Sequence, residues 1–233
     1  MFTSAARSYQ RWATMRAEHG AAAGWQWLTD RVGARLVNLG VSEVVWLELA
    51  DIKLSGEPPA GFEFRWLTPD EIATCVCEEN ELSEHHVARA AAGHDLCFAA
   101  LQNDRLAGYG WYALGSIEAV HCDNTALSFP SDVAYMYKGF THSDFRGLRL
   151  HGFAMRLALE ALAAERGITK LVSTVSWLNF ASLKSCERLG YRCLGRMTKV
   201  GWGPCSTGHY PAAARKLGIR FGRRADLSNR RPA

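Results

Sequence analysis

The sequence of 233 residues lacks the long apolar runs that mark membrane proteins and secreted precursors. No run approaches the roughly 18–20 apolar residues that a membrane-spanning helix needs, so we expect no membrane span. The start of the chain, MFTSAARSYQRWATMRAEHG, is polar and lacks the apolar middle of a secretory signal. These absences predict a cytoplasmic protein.

The seven cysteines lack the spacing of a metal site or a disulfide framework. No pair shows C-x-x-C spacing, and the C-x-C at Cys75 and Cys77 has no second ligand pair beside it. Disulfide frameworks are usual in shorter, secreted chains, which favours reduced thiols here. We therefore expect no bound metal and no structural disulfides.

A strong excess of charge of one sign is also lacking. Lys and Arg number 27 and Asp and Glu number 23, which gives a formal net charge of +4. This balance is too mild for a typical nucleic-acid-binding protein, and we expect no nucleic-acid partner. It favours phosphorylated small molecules or an acidic partner over a cationic one.

What is present is the composition of a globular protein, with 48% hydrophobic residues and no internal repeat. The clearest linker is Ser55–Pro59, SGEPP. It predicts an N-terminal helix-and-strand appendage (1–58), a central domain (59–200) and a basic tail (201–233). We expect the appendage either to cover an apolar sheet edge or to form the face of a homodimer. The tail is either a solvated segment or an electrostatic clamp on an acidic partner.

Downstream of the linker, apolar periodicity predicts alternating strands and helices. Thr68-Pro69-Asp70-Glu71 is typical of a helix start, and Asn103-Asp104-Arg105 of a hairpin turn. Strands are predicted over 62–66, 96–101, 106–114, 133–140, 168–175 and 191–200, and helical sequence over 69–92, 150–165 and 179–189. The order β-α-α-β-β-β-α-β-α-β predicts an α/β fold with a mixed sheet.

The segment most informative about chemistry is Lys138–Gly152, KGFTHSDFRGLRLHG. Here a predicted strand runs through a short loop directly into a long helix. A loop that enters a helix points several unpaired backbone N–H groups, and the positive end of the helix dipole, at one spot. That spot suits a pyrophosphate.

Two segments together resemble the GNAT superfamily, the acyl-CoA-dependent N-acyltransferases. FTHSDFRGLRLHGFAM (140–155) is similar to its signature V-x-P-x-[YF]-R-G-x-G-x-G-x-x-L. NFASLKSCERLGY, which begins at Asn179, is similar to N-x-x-A-x-x-x-Y-x-x-x-G-[FY]. The resemblance extends over 62–200 and implies a central, mostly antiparallel sheet flanked by helices. It also implies acetyl-CoA or another acyl-CoA as the acyl donor.

The resemblance implies a role for particular residues in binding the donor. The strand through Phe140 would pair its backbone with the pantetheine arm, the amides that follow would hold the pyrophosphate, and the next helix start would meet the far side of the arm. The implied binding residues are Phe140, Thr141, Arg146, Gly147, Leu148, Arg149, Leu150, His151, Gly152, Asn179 and Ser182.

Two of these positions depart from the family pattern, since Arg149 and His151 stand where the signature has glycine. Side chains there require a helical or otherwise allowed backbone conformation. Arg149 either adds charge beside the phosphates or faces solvent. His151 caps the loop, binds phosphate or sits exposed, and we prefer the last.

The resemblance also bears on proton transfer. Cys186 stands where many relatives carry a tyrosine that protonates the leaving thiolate. An ordinary thiol has a pKa near 8.5 and is matched to that task, although a cysteine on a helix is also typical as a small buried hydrophobe. Asp132, just before the central strand, is the candidate base, or caps the strand. Tyr135 and Tyr137 share a sheet face and either line the acceptor cleft or pack in the core.

The leading hypothesis is an N-acyltransferase, N-acetyl in the first instance, that acts on a small-molecule amine by direct attack in a ternary complex. A second hypothesis is a non-catalytic acyl-CoA sensor, motivated by the missing glycines and by Cys186. A third takes the acyl group from an acidic acyl-carrier protein docked by the basic tail.

Overall fold

The computed structural model of the protein describes residues 4–37, 39–118, 125–202 and 205–223. The helices of this part of the chain are α1 Ser4–His19, α2 Ala21–Val37, α3 Pro69–Thr74, α4 Glu84–Ala91, α5 Leu150–Arg166, α6 Phe180–Leu189 and α7 Ala212–Lys216. The strands are β1 Gly40–Glu48, β2 Glu63–Leu67, β3 Asp95–Gln102, β4 Arg105–Leu114, β5 Ser116–Glu118, β6 Thr125–Ser128, β7 Val133–Thr141, β8 Lys170–Ser176, β9 Arg192–Trp202, β10 Cys205–His209 and β11 Arg220–Arg223.

The described strands form one large sheet and one small one. The large sheet has the order β10-β9-β1-β8-β7-β4-β3-β2, and the small one has the order β11-β6-β5. Neighbouring strands of the large sheet are antiparallel except β7 and β8, which are parallel. Helices pack on the large sheet, which confirms the predicted mixed, mostly antiparallel α/β fold.

Strand β1 lies inside the large sheet, although its sequence belongs to the segment that we expected to be an appendage. It pairs with β8 on one side, from Ser42 to Glu48, and with β9 on the other. Its apolar run is buried on both faces, as is typical of a central strand. The boundary at residue 58 stays a prediction, but the sheet itself draws on residues from both sides of it.

Local sequence signals predicted several element boundaries correctly. Thr68 caps α3 in a capping box, since its hydroxyl accepts a hydrogen bond from the Glu71 amide and its own amide donates to the Glu71 carboxylate. Asn103 and Asp104 have φ angles of 49° and 61°, which a tight hairpin turn between β3 and β4 requires. Helix α5 ends at Gly167, which has a left-handed φ of 68°.

Each face of the large sheet has its own covering layer. Helix α5 packs on one face, where Ala158, Leu159 and Leu162 are fully buried. On the other face lie α3, α4, α7 and the small sheet. The parallel pair β7 and β8 therefore lies in the middle of the sheet, between the two layers.

Helices α1 and α2 form a hairpin beside the start of α6. The His19 ring stacks on Phe180 at 4.5 Å, and the Trp177 indole donates a hydrogen bond of 3.0 Å to Asp30. Trp25 and Val32 of α2 lie at helical spacing in the sequence, but both face outward, since Trp25 is 67% exposed and Val32 46% exposed. Helical spacing alone therefore predicted the helix but not the side on which it is buried.

No helix in the described part of the chain is long and apolar enough to cross a membrane. The described ranges also hold no group of three or more His, Cys, Asp or Glu side chains suited to a metal ion. Residues 203–204 and 224–233 of the basic tail, which include Arg224, Arg230 and Arg231, lie outside the described residues.

Candidate functional site

The candidate site begins where the two parallel strands separate. β7 and β8 pair only through Val133–Tyr135 and Lys170–Val172. Beyond these residues β7 continues for six residues to Thr141 without a ladder to β8. Just beyond the ladder, the Ser173 hydroxyl donates a hydrogen bond of 2.6 Å to the Met136 carbonyl. The separation leaves one backbone edge of β7 open to a ligand.

The same stretch of β7 contains a β-bulge. Trp111 of β4 is opposite Lys138, whereas its neighbour Tyr112 is opposite Met136, so Tyr137 is the extra residue. Tyr137 and Lys138 consequently point to the same face of the sheet, where α4 and the segment before it lie. The Tyr137 hydroxyl donates to Asp95 at 2.8 Å, and the Lys138 ammonium donates to the Glu81 carbonyl at 2.5 Å.

A cavity of about 470 Å³ fills the gap between the diverging strands, α5 and α6. Its lining residues are Met136, Tyr137, Lys138, Gly139, Phe140, Thr141, His151, Met155, Ser173, Thr174, Val175, Ser176, Asn179, Ser182, Ser185, Cys186, Leu189 and Tyr191. The hydroxyl groups of β8 and α6 give the cavity a polar side, and buried Met155 and Leu189 give it an apolar end. No carboxylate belongs to this lining set.

The loop between β7 and α5 lies at one end of this cleft. A short 3-10 turn, Ser143–Phe145, leads to four exposed residues, 146–149, and α5 begins at Leu150. The first amides of an α-helix have no partner within the helix, so this end of α5 presents free N–H groups. The sequence predicted an anion-binding helix start at this point, and the geometry is suited to one.

Arg149 adopts the left-handed backbone conformation, with φ 59° and ψ 20°. Its side chain is exposed and does not line the cleft, so it does not close the cleft. We expect Arg149→Gly to raise the free energy of unfolding by about 1 kcal/mol, because glycine has no Cβ to strain in this conformation. Thermal unfolding measures the change as a rise in Tm of about 2–4 °C.

Arg149→Ala is the matched control, since it removes the same charge but keeps the Cβ. We expect its Tm to stay close to that of the original protein. Equal Tm values for the alanine and glycine variants would show that the charge, rather than the backbone, sets the stability at this position.

His151 does not have the exposed position that we preferred from the sequence. Its ring is half-buried in the cleft and lies against Gly139 of β7. A Cβ built on Gly139 would lie 2.4 Å from Cε1 of His151, so any larger residue at position 139 would displace the imidazole from this position. Burial lowers the pKa of His151, which keeps the ring neutral at pH 7. The ring forms one wall of the cleft without filling it.

The start of α6 forms the opposite wall. Asn179 caps the helix by accepting a hydrogen bond of 3.1 Å from the Ser182 amide, and both side chains line the cleft. Cys186, one turn further along, also lines it. Burial raises the pKa of the Cys186 thiol to about 11, against a smaller opposing effect of its hydrogen bond with Ser182. The thiol is therefore less acidic than the sequence argument assumed.

Not all predicted site residues meet at the cleft. Phe140 and Thr141 line it together with His151, Asn179 and the other α6 residues. Asp132 lies before the paired start of β7, where its carboxylate accepts a hydrogen bond of 2.5 Å from Lys170. At about 3.3 Å per residue, four residues of strand place it some 13 Å from Met136. The structure therefore does not bring Asp132 to the cleft.

The two tyrosines that the sequence placed on one face have different environments. Tyr135 is fully buried, and its hydroxyl lies 2.5 Å from the Thr174 hydroxyl. Tyr137, at the bulge, is half-buried and lines the cleft. Of the two alternatives predicted for these tyrosines, Tyr135 packs in the core and Tyr137 lines the cleft.

The hydroxyl side of the cleft was missed by the sequence analysis. Ser173, Thr174 and Ser176 lie on β8, and Ser185 lies on α6. A signal was present, because β8 reads KLVSTVS and hydroxyl residues interrupt an otherwise apolar central strand. Polar residues at buried positions need partners, so such an interruption indicates either a hydrogen-bond network or a cleft.

Comparison with known proteins places this geometry in a family. No curated protein matches the chain. Among solved structures, it is similar to a GCN5-related N-acetyltransferase-like protein from Streptococcus suis, with 18% identity, a TM-score of 0.52, and coverage of 77% of this chain and 68% of that one. It is also similar to a functionally unknown conserved protein from Staphylococcus epidermidis, with 11% identity, a TM-score of 0.50, and coverage of 74% and 65%.

A third similar structure is a tandem GNAT protein from the clavulanic acid biosynthesis pathway, with 18% identity and a TM-score of 0.48. The match covers 72% of this chain but only 55% of that protein. At these identities the first two likenesses show the fold. Residues 61–191 match the acetyltransferase (GNAT) family, and because this match spans more than half of the sequence, the chain belongs to that family.

Proposed function

We propose that this protein is an acyl-CoA-dependent N-acyltransferase that passes an acyl group, acetyl in the simplest case, to a small-molecule amine. The observation that carries the proposal is the open edge of β7 beside the free N–H groups at the start of α5. Within a single cleft, the edge of β7 thus offers hydrogen bonds to an extended amide-containing chain, and the start of α5 offers hydrogen bonds to an anion. A CoA thioester combines these two chemical features.

The chain's own groups fit such a donor. The backbone of 136–141 donates and accepts hydrogen bonds along the pantetheine arm, as an added strand would. The amides of 147–151 donate to the pyrophosphate, and the side chains of Asn179 and Ser182 contact the arm from α6. The bound donor supplies an activated acyl group as a thioester.

The β-bulge supports a role in polarising the thioester carbonyl. A bulge leaves a backbone group of the extra residue outside the ladder. Here the extra residue is Tyr137 of β7, and the group is its N–H. We assign the freed N–H group to the carbonyl oxygen, on which negative charge develops during attack. An N–H donor that is already fixed in position stabilises that charge without reorganisation.

The acceptor approaches from the face that Tyr137 and Lys138 share. The segment before α4 is held there, since the Lys138 ammonium binds the Glu81 carbonyl and lies 3.7 Å from the Glu81 carboxylate. An amine arrives as ammonium and must lose a proton before it attacks. We assign proton removal to water, with the exposed Glu81 carboxylate as the final acceptor rather than distant Asp132.

The protonation state of Cys186 favours direct attack over an acyl-enzyme. With a pKa of about 11 the thiol stays protonated at pH 7, so it does not act as a nucleophile, and we assign it to protonating the leaving thiolate. We expect Cys186→Ala to lower kcat by about 10²-fold, the lower end for a lost general acid, with little change in the Kd of CoA. Steady-state kinetics and calorimetry measure the two effects.

Mass spectrometry supplies the complementary test. Incubation with acetyl-CoA in the absence of an amine is expected to leave the protein mass unchanged. An acetyl adduct on Cys186, formed at a rate that supports turnover, would replace direct attack with a two-step mechanism.

The experiment that tests the function combines donor binding with turnover. We expect acetyl-CoA to bind to the original protein and free thiol to be released in a screen of amines. Arg146→Glu is expected to weaken acetyl-CoA binding on the order of a hundredfold, because it reverses a charge beside the phosphates. Arg166→Glu, the same change at the exposed far end of α5, is the control and should bind normally.

Each outcome of this experiment separates the hypotheses. Binding and turnover together support the transferase. Tight binding without turnover across a broad set of amines and acyl donors supports the sensor. Normal affinity of the Arg146→Glu variant for acetyl-CoA would show that the loop at 146–151 does not bind the phosphates.

A further inference from the structure

The side chain of His151 occupies a junction within the cleft. It starts from the first turn of α5, next to the free amides of the loop, and its ring reaches across to Gly139 on β7. The nearest ring atoms lie 2.4 Å (Cε1) and 3.0 Å (Nδ1) from the position that a Cβ on Gly139 would take. A ligand that follows the open edge of β7 and ends at the start of α5 passes directly beside this imidazole.

The ring nitrogens of His151 are free to bind a ligand. Within the described ranges, neither nitrogen has a hydrogen-bond partner. Both nitrogens are accessible from the cleft, because neither is a fully buried atom. By contrast, the Tyr137 hydroxyl of the cleft is engaged with Asp95, and the Lys138 ammonium with Glu81. The imidazole is thus an uncommitted donor and acceptor that faces the cavity.

The neighbouring charged and titratable groups do not pair with His151, so the charge at this point of the cleft is set by protonation of the imidazole itself. On β7, the Lys138 ammonium is directed to Glu81 on the opposite face of the sheet. On α6 and after it, Cys186 and Tyr191 are neutral, because burial raises the pKa of both. Arg149, two residues earlier, is exposed, and burial alone lowers the pKa of His151.

We propose that His151 is a positioning residue that hydrogen-bonds the phosphate end of the donor's pantetheine arm and pairs with its charge when protonated. This rests on the proposed function, since it assigns the donor to the cleft. A neutral imidazole supplies one N–H donor there, and an imidazolium adds a positive charge beside the anion. Donor binding is then coupled to uptake of a proton.

The coupling gives donor affinity a defined pH dependence. A bound phosphate raises the pKa of the imidazole from the lowered value that it has in the empty cleft. Affinity therefore increases as the pH falls through the interval between these two values, by about tenfold for each unit that separates them. Pantetheine, which lacks a phosphate, is expected to bind without this dependence.

The test uses calorimetric titration with 3′-dephospho-CoA at pH 8 and pH 6. This probe lacks the phosphomonoester of CoA, which itself titrates near pH 6, whereas its pyrophosphate keeps its charge. We expect affinity about three- to tenfold higher at pH 6 and net proton uptake, measured in two buffers of different ionisation enthalpy. His151→Gln, which keeps a side-chain donor but does not titrate, should lose both effects. His85→Gln, at an exposed histidine of α4, should retain both.

The outcomes distinguish this inference from the proposed function. If the original protein binds the probe without proton uptake, the role of His151 is overturned and the proposed transferase function is unaffected. The same conclusion follows if the His151→Gln variant keeps the pH dependence of the original protein. The proton-uptake measurement needs no variant, so the test stands if the substitution impairs folding. Failure of the original protein to bind the probe or pantetheine at either pH overturns both.

Discussion

Removal of residues 1–58 is expected to abolish folding, whereas removal of residues 1–37 is expected to leave a folded protein. The difference is strand β1, which the longer deletion removes from between β8 and β9. Four consecutive side chains of this strand are almost fully buried, with exposed fractions of 0% for Val44, 4% for Val45, 1% for Trp46 and 0% for Leu47. At about 1.5–3 kcal/mol each, their burial contributes as much as the net stability of a typical domain.

Circular dichroism and thermal unfolding of the two truncated proteins measure this difference. The shorter deletion removes only the contacts of the helical hairpin, including the stacking of His19 on Phe180 and the bond from Trp177 to Asp30. A synthetic peptide of residues 39–58 is expected to restore structure to the longer deletion by supplying the missing strand. A cooperative unfolding transition in the protein without residues 1–58, in the absence of peptide, would contradict the central place of β1.

A tryptophan at position 182 is expected to weaken CoA binding strongly. Ser182 lies in the first turn of α6 and lines the cleft, so an indole at this position fills the space between α6 and the open edge of β7. We expect Ser182→Trp to raise the Kd of CoA on the order of a hundredfold or more, about 2.7 kcal/mol of binding free energy. Calorimetry measures the affinity, and thermal unfolding checks the fold.

Lys184→Trp is the matched control, because Lys184 lies two residues further along the same helix and is exposed. The same large side chain there points to solvent and should leave CoA binding unchanged. Equal loss in both variants would indicate a general effect on α6, and retention of binding in Ser182→Trp would place the donor outside the cleft.

The sequence predicted those parts of the fold that local chemistry determines. The capping box at Thr68, the turn at Asn103–Asp104 and the stop at Gly167 each depend on residues close together in the chain. The family resemblance predicted the loop at the start of α5 and the cap at Asn179, since both belong to its signature segments. These are the elements on which the candidate site is built.

The place of β1 depends on distant residues and was not predicted. A run of apolar residues indicates a buried strand, but it carries no information about which strands will be its neighbours. The linker at Ser55–Pro59 suggested a separate unit, yet the chain before it runs through the middle of the sheet. Pairing with β8 and β9 bridges more than 100 residues of sequence, beyond the reach of any local pattern.

The protonation and position of individual side chains depend on tertiary packing, so the sequence did not predict them. The Cys186 thiol has a pKa of about 11 because α6 and its neighbours bury it, and no local pattern reports that burial. His151 is drawn inward because Gly139, twelve residues earlier on another element, leaves room for its ring. Asp132 is held by Lys170 at the paired end of β7, so proximity in sequence to the central strand did not place it in the cleft.

A crystal structure of the protein with a bound CoA thioester tests the central claim most directly. The account predicts density for the pantetheine arm along 136–141, between β7 and β8, with pyrophosphate oxygens about 2.7–3.2 Å from the amides at the start of α5. An arm bound elsewhere, with the space between the two strands still open, would contradict it.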